Sequence, residues 1–582
     1  MGPPSLAFDA ARDAAGRATQ LQPVVFGGHA GALHSPVGQA ARGVAVVLCP
    51  PIGRDARCAY RPLFLFAEAL AADGFPVLRY EHLGCGDSMP LEPEVDRWPL
   101  WLAGVEQAAA FVRAHTGAQR LVLAGLRVGA SLAAAAASSV KPEGLMLLAP
   151  LTTGRAWIRE LQASAATSGP PPGDGSIEID GLRLSPATVA SLKDVDLRRL
   201  PPSGADAFLA TPAADPRLVA SLGAKVKAVR FPGYSELFRE AHLNAPPGVV
   251  IEAATAWIEG FAAGAPDAAR VSTPPAPSLV TPDWTERPIT FGEDLRGVLC
   301  LPARGAGGQG VIIGNTGADP RAGVAGFTAR ACRALATRGV AALRFDFAGL
   351  GESAGPDGWR SHVFGVGRAA DFRAAADLLA QEGYGEPTLV GVCTGGYQAV
   401  RAAIEDPRFR RIVAINPWLI WQAGDSLEKR PVGASLRRGI VGGGPNGPAP
   451  AHGLLGGLLH RLRRRFQWRP RDEAGRSARA EIARIAAAGA RLQILIGRDD
   501  IALEELEANF GAQGRWLGRR RGVEIALARD VDHGLVTRRS QDLALGAILR
   551  FLDLAPEVEG AGGEGTGGTR GPASSASRQA AV

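Results

Sequence analysis

Short apolar runs alternate with stretches of helical period along most of this chain. Gly43 to Cys49 and Gly310 to Ile313 are unbroken apolar runs, the pattern of strands buried on both faces. Ala59 to Ala72 and Gly326 to Ala336 set apolar residues at helical spacing. Such alternation predicts mostly parallel sheets joined by right-handed helical crossovers, an α/β architecture. The pattern also occurs twice, with a period near 266 residues. Leu78-Arg79-Tyr80-Glu81 leads into Gly84-Cys85-Gly86-Asp87-Ser88, and Leu343-Arg344-Phe345-Asp346 leads into Gly349-Leu350-Gly351-Glu352-Ser353. Further on, Leu121 to Gly125 matches Thr388 to Gly391, and Leu147-Leu148-Ala149-Pro150 matches Ala414-Ile415-Asn416-Pro417. Three matches in the same order and spacing predict a tandem duplication.

The 582 residues therefore divide into two large units rather than several small ones. A flexible N-terminus is expected over 1–23, a first unit over 24–263, a linker over 264–282, a second unit over 283–554 and a disordered tail over 555–582. The linker segment is rich in Pro, Ala, Ser and Thr, and the tail in Gly, Glu, Ser and Ala. Each unit carries an insertion before its last strands, about 151–202 and about 422–489, expected to form a cap.

Composition narrows the function classes. Hydrophobic residues make up 46% and charged residues 21%, enough for full cores. A net charge of +7 over this length is too dilute to argue for nucleic-acid binding. Six cysteines without a C-x-x-C pair or a His/Cys cluster predict neither a disulfide scaffold nor a metal site. No cofactor motif is apparent. The first residues do not read as a signal peptide, and no run of ~18 apolar residues suggests a membrane span. The expected compartment is the cytoplasm.

The second unit carries the chemistry. Strand Thr388 to Val390 runs into Gly391-Val392-Cys393-Thr394-Gly395-Gly396. This G-x-C-x-G-G sequence reads as the nucleophile elbow of an α/β-hydrolase with Cys393 in place of serine. The flanking glycines let strand and helix approach closely, and the helix N-terminus favours a thiolate and a developing oxyanion. In this architecture the acid and then the histidine follow the nucleophile. The apolar strand Leu492 to Ile496 ends in Gly497-Arg498-Asp499-Asp500, which selects Asp500, with Asp499 in reserve. Of His362, His452, His460 and His533, only His533 follows the acid. Its expected role is to take the Cys393 proton or to hold it as a thiolate–imidazolium pair, while Asp500 orients the ring. The oxyanion hole is expected to use the Thr394 N–H and a donor from Asn315-Thr316-Gly317, principally Thr316 or Gly317.

The first unit has Gly125-Leu126-Arg127-Val128-Gly129 at the matching elbow. Arginine offers no lone pair for attack, and Asp215 and His242 are poorly framed for the other roles. This unit is expected to be silent for acyl transfer. Arg127 either binds an anionic group bidentately or pairs with an internal acid; the sequence leaves both open.

Three segments of the first unit, Leu83 to Ser88, Gly125 to Gly129 and Ile179-Asp180-Gly181-Leu182-Arg183-Leu184-Ser185, resemble the exosortase A system-associated hydrolase 2 family. In that family an arginine at the elbow is usual. The second unit resembles α/β-hydrolases of bacterial polysaccharide loci over Gly391 to Gly395, Ile415-Asn416-Pro417 and Gly424-Asp425-Ser426-Leu427. These resemblances imply a role near exopolysaccharide assembly or export. The G-x-C-x-G box is also similar to that of polyhydroxyalkanoate synthases, but those have a single catalytic domain.

Leu454 to Trp468 has the pattern of a basic amphipathic helix, suited to an anionic membrane surface or to a cap with its arginines in water. The leading expectation is a cysteine-dependent acyl hydrolase or acyltransferase for a small-molecule, lipid-linked or glycan-linked acyl substrate. The alternatives are a non-catalytic partner in a polysaccharide assembly complex and a membrane-surface adaptor.

Overall fold

The computed structural model describes residues 19–554 except 39, 166–171, 202, 224, 263–276, 305–307, 356–367, 418 and 420–472. The first sheet consists of Thr19–Phe26 (β1), His29–Pro36 (β2), Val44–Cys49 (β3), Val77–Tyr80 (β4), Arg120–Leu126 (β5) and Gly144–Leu148 (β6). A small hairpin follows, Ile177–Ile179 (β7) with Leu182–Leu184 (β8), and Asp206–Thr211 (β9) and Val226–Arg230 (β10) complete the sheet. The second sheet runs from Leu279–Val280 (β11), Trp284–Phe291 (β12), Leu295–Pro302 (β13), Gly308–Ile313 (β14) and Ala341–Phe345 (β15) to Tyr384–Val392 (β16), Arg411–Ile415 (β17), Arg491–Gly497 (β18) and Val523–Ala528 (β19).

The spatial orders are β1-β2-β4-β3-β5-β6-β9-β10 and β11-β12-β13-β15-β14-β16-β17-β18-β19. Apart from the short edge strand β11 they are the same. In each, an antiparallel hairpin leads into a parallel sheet. This is the α/β-hydrolase strand order, present twice. The central strand β3 is buried along its whole length, as its unbroken apolar run predicts, because helices cover both faces.

Three boundaries differ from expectation. β1 begins at Thr19, inside the segment expected to be flexible, and pairs with β2 along its length. It contains Pro23, which an edge strand tolerates because one side needs no N–H donor. Likewise Leu279 and Val280, inside the expected linker, pair with Glu286 and Thr285. The helix expected from Ala59 starts earlier, at Gly53. Its first turns carry Arg54, Arg57 and Arg61, which break the apolar period yet meet partners in the neighbouring structure. Charge that is satisfied across the fold is invisible to a hydrophobic pattern.

The first insertion forms helix Gly154–Ala165, the β7–β8 hairpin and helix Pro186–Lys193. Of the second, helix Glu473–Ala487 is described; the basic stretch 454–468 and the tail 555–582 lie outside the described residues.

Candidate active site

Cys393 sits between β16 and helix Thr394–Glu405 with φ 52° and ψ −115°. Such a conformation is costly for a residue with a side chain and persists only when its surroundings impose it. Here the surroundings are backbone. The Cys393 N–H donates to the Ile415 carbonyl at 2.9 Å. A Cβ on Gly391 would lie 2.2 Å from the Gly395 carbonyl carbon, and one on Gly395 would lie 2.6 Å from the Asn315 oxygen. The glycines of the elbow are thus where strand, helix and the loop after β14 touch.

His533 Nε2 lies 3.2 Å from Cys393 Sγ, and His533 Nδ1 lies 2.9 and 3.0 Å from the two Asp500 oxygens. The Nδ1–H donates to the carboxylate, so Nε2 faces the sulfur. Asp500 is buried and caps helix Ile501–Phe510 by accepting from the Ala502 N–H at 2.7 Å; Asp499 beside it is exposed. Burial works against a charge on the His533 ring, but the Asp500 carboxylate and the Cys393 sulfur outweigh it and raise the ring well above its ordinary value. The ring remains about 31% exposed, against 2% for the Asp500 side chain, so the site keeps a face open to a substrate.

One positioning residue escaped the sequence reading. Asn416, in a left-handed conformation at the end of β17, donates from Nδ2 to the carbonyls of Asp532 at 2.8 Å and His533 at 3.2 Å. Its Oδ1 accepts from the Gly497 N–H at 2.8 Å. One buried amide therefore ties the loop bearing His533 to the strand end that leads to Asp500. In the sequence Asn416 is a repeat marker and part of a segment of family resemblance, with no role of its own. The available signal was its counterpart in the first unit, Ala149, which has the same positive φ and no side chain with which to make these bonds.

Among the described residues, no acceptor takes the Thr394 or Thr316 N–H. The Gly317 N–H, by contrast, donates to Thr394 Oγ1 at 2.5 Å. Gly317 is therefore occupied as a tether between loop and elbow, and the donor expected from this loop is left to Thr316.

In the first unit Arg127 has φ 55° and ψ −119°, nearly the Cys393 geometry. Its Nε donates to Asp55 at 3.0 Å and its Nη2 to Glu160 of the cap helix at 2.6 Å. Of the two roles left open, the contacts are those of pairing with internal acids. Asp215 also occupies the place corresponding to Asp500, as the cap of helix Pro216–Leu222, but its side chain bonds Leu218 N and Thr152 rather than a histidine. The described residues contain no cluster of His, Cys, Asp and Glu able to hold a metal and no helix long and apolar enough to cross a membrane.

The serine aminopeptidase, S33 family model matches residues 59–169 and 321–440, one stretch in each unit. A comparison with curated proteins gives no match. Among solved structures, Est1E from Butyrivibrio proteoclasticus with bound ferulic acid is similar at 16% identity, covering 42% of this chain and 99% of its own, with a TM-score of 0.33. XC6422 from Xanthomonas campestris, described as an α/β serine hydrolase without lid, is 17% identical over 43% of this chain and 97% of its own, with a TM-score of 0.29. The Pyrococcus furiosus esterase Pf2001 is 15% identical over 47% and 96%, with a TM-score of 0.30. By its strand order the chain carries the α/β-hydrolase fold twice in tandem, and only the second copy has a thiol at the nucleophile position.

Proposed function

We propose that the second unit is a cysteine-dependent acyl hydrolase or acyltransferase acting on esters or thioesters. One observation carries this reading: the continuous contact from Cys393 Sγ through the His533 ring to the buried Asp500 carboxylate. The Cys393 thiolate attacks the carbonyl carbon, forming a C–S bond and an oxyanion that the Thr394 and Thr316 N–H groups receive. The oxyanion collapses, the bond to the leaving oxygen or sulfur breaks, and the His533 imidazolium protonates that leaving group. Neutral His533 then takes a proton from water or an alcohol, which attacks the thioester. Breaking the C–S bond releases acid or ester and restores the thiolate–imidazolium pair.

The first unit is a non-catalytic partner, because its elbow holds an arginine already neutralised by Asp55 and Glu160. The resemblance of the first unit to exosortase A system-associated hydrolase 2 and of the second to hydrolases of polysaccharide loci supports a glycan-linked or lipid-linked acyl group as the substrate. The test is turnover of short p-nitrophenyl esters and of acyl-CoA thioesters, with mass spectrometry of the Cys393 peptide. Acyl-Cys393 and loss of turnover in Cys393→Ala are expected. Undiminished turnover by Cys393→Ala would end the reading.

A further inference from the structure

The two units exchange charges reciprocally. Arg79 of the first pairs with Glu352 of the second, and Arg344 of the second donates to Asp87 of the first at 2.9 Å. These four residues occupy matching places in the repeat, so the units face each other as the protomers of a two-fold dimer would. Around this shared centre the second unit's loop after β14 is gripped further. Arg321 reaches Asp87 at 2.9 Å, Asp346 at 3.0 Å and Glu352 at 2.9 Å. Asp346 accepts from Asn315 Nδ2 at 2.7 Å, and Asn315 also donates to the Asp319 carbonyl at 2.7 Å. From the other side, Arg57 of the first unit donates to the Asp319 carboxylate at 3.1 Å.

We propose that the first unit is a built-in brace for the oxyanion side of the second unit's site, with Arg57 and Asp87 as positioning residues. The inference rests on the acyl-transfer reading above. Thr316 lies in a loop of few residues. Asn315 is clamped through Asp346 and Arg321 to Asp87, Asp319 is clamped to Arg57, and Gly317 is tethered to Thr394. Two of these three ties end on the first unit.

The β7–β8 hairpin adds a contact near the other catalytic loop. A Cβ on Gly181, at φ 71°, would lie 2.1 Å from the Ala325 Cβ and 2.9 Å from Gln541 Nε2. Glu178 accepts from the Arg538 N–H at 2.5 Å, at the start of the helix that follows His533. This accounts for the Asp180-Gly181 turn, a sequence feature that the chemistry itself does not use: Asp180 also pairs with Arg57 at 3.5 Å. An oxyanion donor acts only where charge develops, so a displacement well under the length of a bond costs rate while leaving the nucleophile intact.

The test uses the full chain with Arg57→Gln. Asp319 already sits at about 6, because burial pushes it up and Arg57 offsets this only in part, so it can take up a proton when Arg57 is lost. Turnover of p-nitrophenyl acetate should show kcat reduced about 10- to 100-fold, below the ~10²–10³ of deleting a donor outright, with KM unchanged. Cys393 alkylation by iodoacetamide should stay within about twofold of wild type, because the His533 pair is untouched, and Arg57→Lys should recover most of kcat. Asp319→Asn breaks the same ion pair from the loop side and should reproduce the loss even where Arg57→Gln folds poorly. Wild-type kcat in both Arg57→Gln and Asp319→Asn would overturn the brace, as would a parallel loss of kcat and alkylation. Equal turnover by wild type and Cys393→Ala would instead overturn the acyl-transfer reading, and the brace with it.

Discussion

Arg127 and Cys393 stand on the same turn, with φ of 55° and 52° and ψ of −119° and −115°. Glycines crowd both turns: a Cβ on Gly125 would meet Gly129, and one on Gly391 would meet Gly395. One turn presents a thiol to a histidine and the other a guanidinium to two acids. The strained elbow is therefore a property of how this fold joins a buried strand to a buried helix, and it survives without the chemistry it serves elsewhere. Elbow shape alone does not mark a catalytic centre. What separates the two elbows is the contact from thiol to histidine to buried acid, which the first unit lacks.

The largest effect expected from this comparison is at the nucleophile. Cys393→Ala should lower kcat by about 10⁴-fold or more, as deleting a nucleophile does in triad enzymes. Placing Arg127→Cys in that background should restore nothing, because the transplanted thiol meets Asp55 and Glu160 and no charged imidazole. Measurable Arg127→Cys turnover would break the comparison.

Next comes His533→Ala, expected to cost nearly as much as loss of the nucleophile and to slow iodoacetamide labelling of Cys393 at neutral pH. Its pH signature has a definite sign. His533 is raised above its ordinary value, so the stability it contributes is fully present below about 6.5 and is lost as pH rises through the higher folded value. The difference in Tm between wild type and His533→Ala should shrink on the alkaline side. A gap that widens there would contradict the charged ring. Asp500→Asn should reduce kcat strongly, and Asp499→Asn should leave it nearly unchanged.

Asn416→Ala sharpens the comparison, because it installs the first unit's Ala149 at the matching place. Loss of the bonds to Asp532, His533 and Gly497 should lower kcat about 10- to 100-fold, the usual range for a group that orients a first-contact ligand or base. Steady-state kinetics beside a thermal melt separates this from unfolding. Arg127→Ala should leave turnover within a few-fold of wild type. Complete loss with an intact melt would mean that the first unit takes part in chemistry.

The smallest effect concerns Glu81, which burial and the neighbouring Asp87 push up to about 8. A raised carboxyl contributes stability that is full below about 4.5 and is lost as pH rises through about 8. Glu81→Gln should therefore melt a few degrees higher relative to wild type at pH 9 than at pH 5. A pH-independent difference would place the proton elsewhere.

Much of this was legible in the residues. Unbroken apolar runs gave the central strands, the repeat gave the duplication, and chain order gave Cys393, Asp500 and His533 as the residues to test. Edge strands were harder: β1 carries polar residues and a proline, and β11 spans two residues, too little for a period to show. Asn416 was seen but not understood, because an amide's value lies in which carbonyls it reaches. Gly317 was proposed as a donor, and only the fold showed that its N–H is already taken by Thr394.

By itself the sequence determined what local physics can encode: the period of buried strands and helices, the glycines that let an elbow turn, and the element type at each position. The tertiary structure decided how residues far apart in the chain share charge. Arg79 and Arg344 mark the repeat in the sequence and Arg57 carries no signal there, and only the fold sets the three against Glu352, Asp87 and Asp319. A buried charge takes its meaning from its partner, and partners some 260 residues away are brought together only when both sheets are complete.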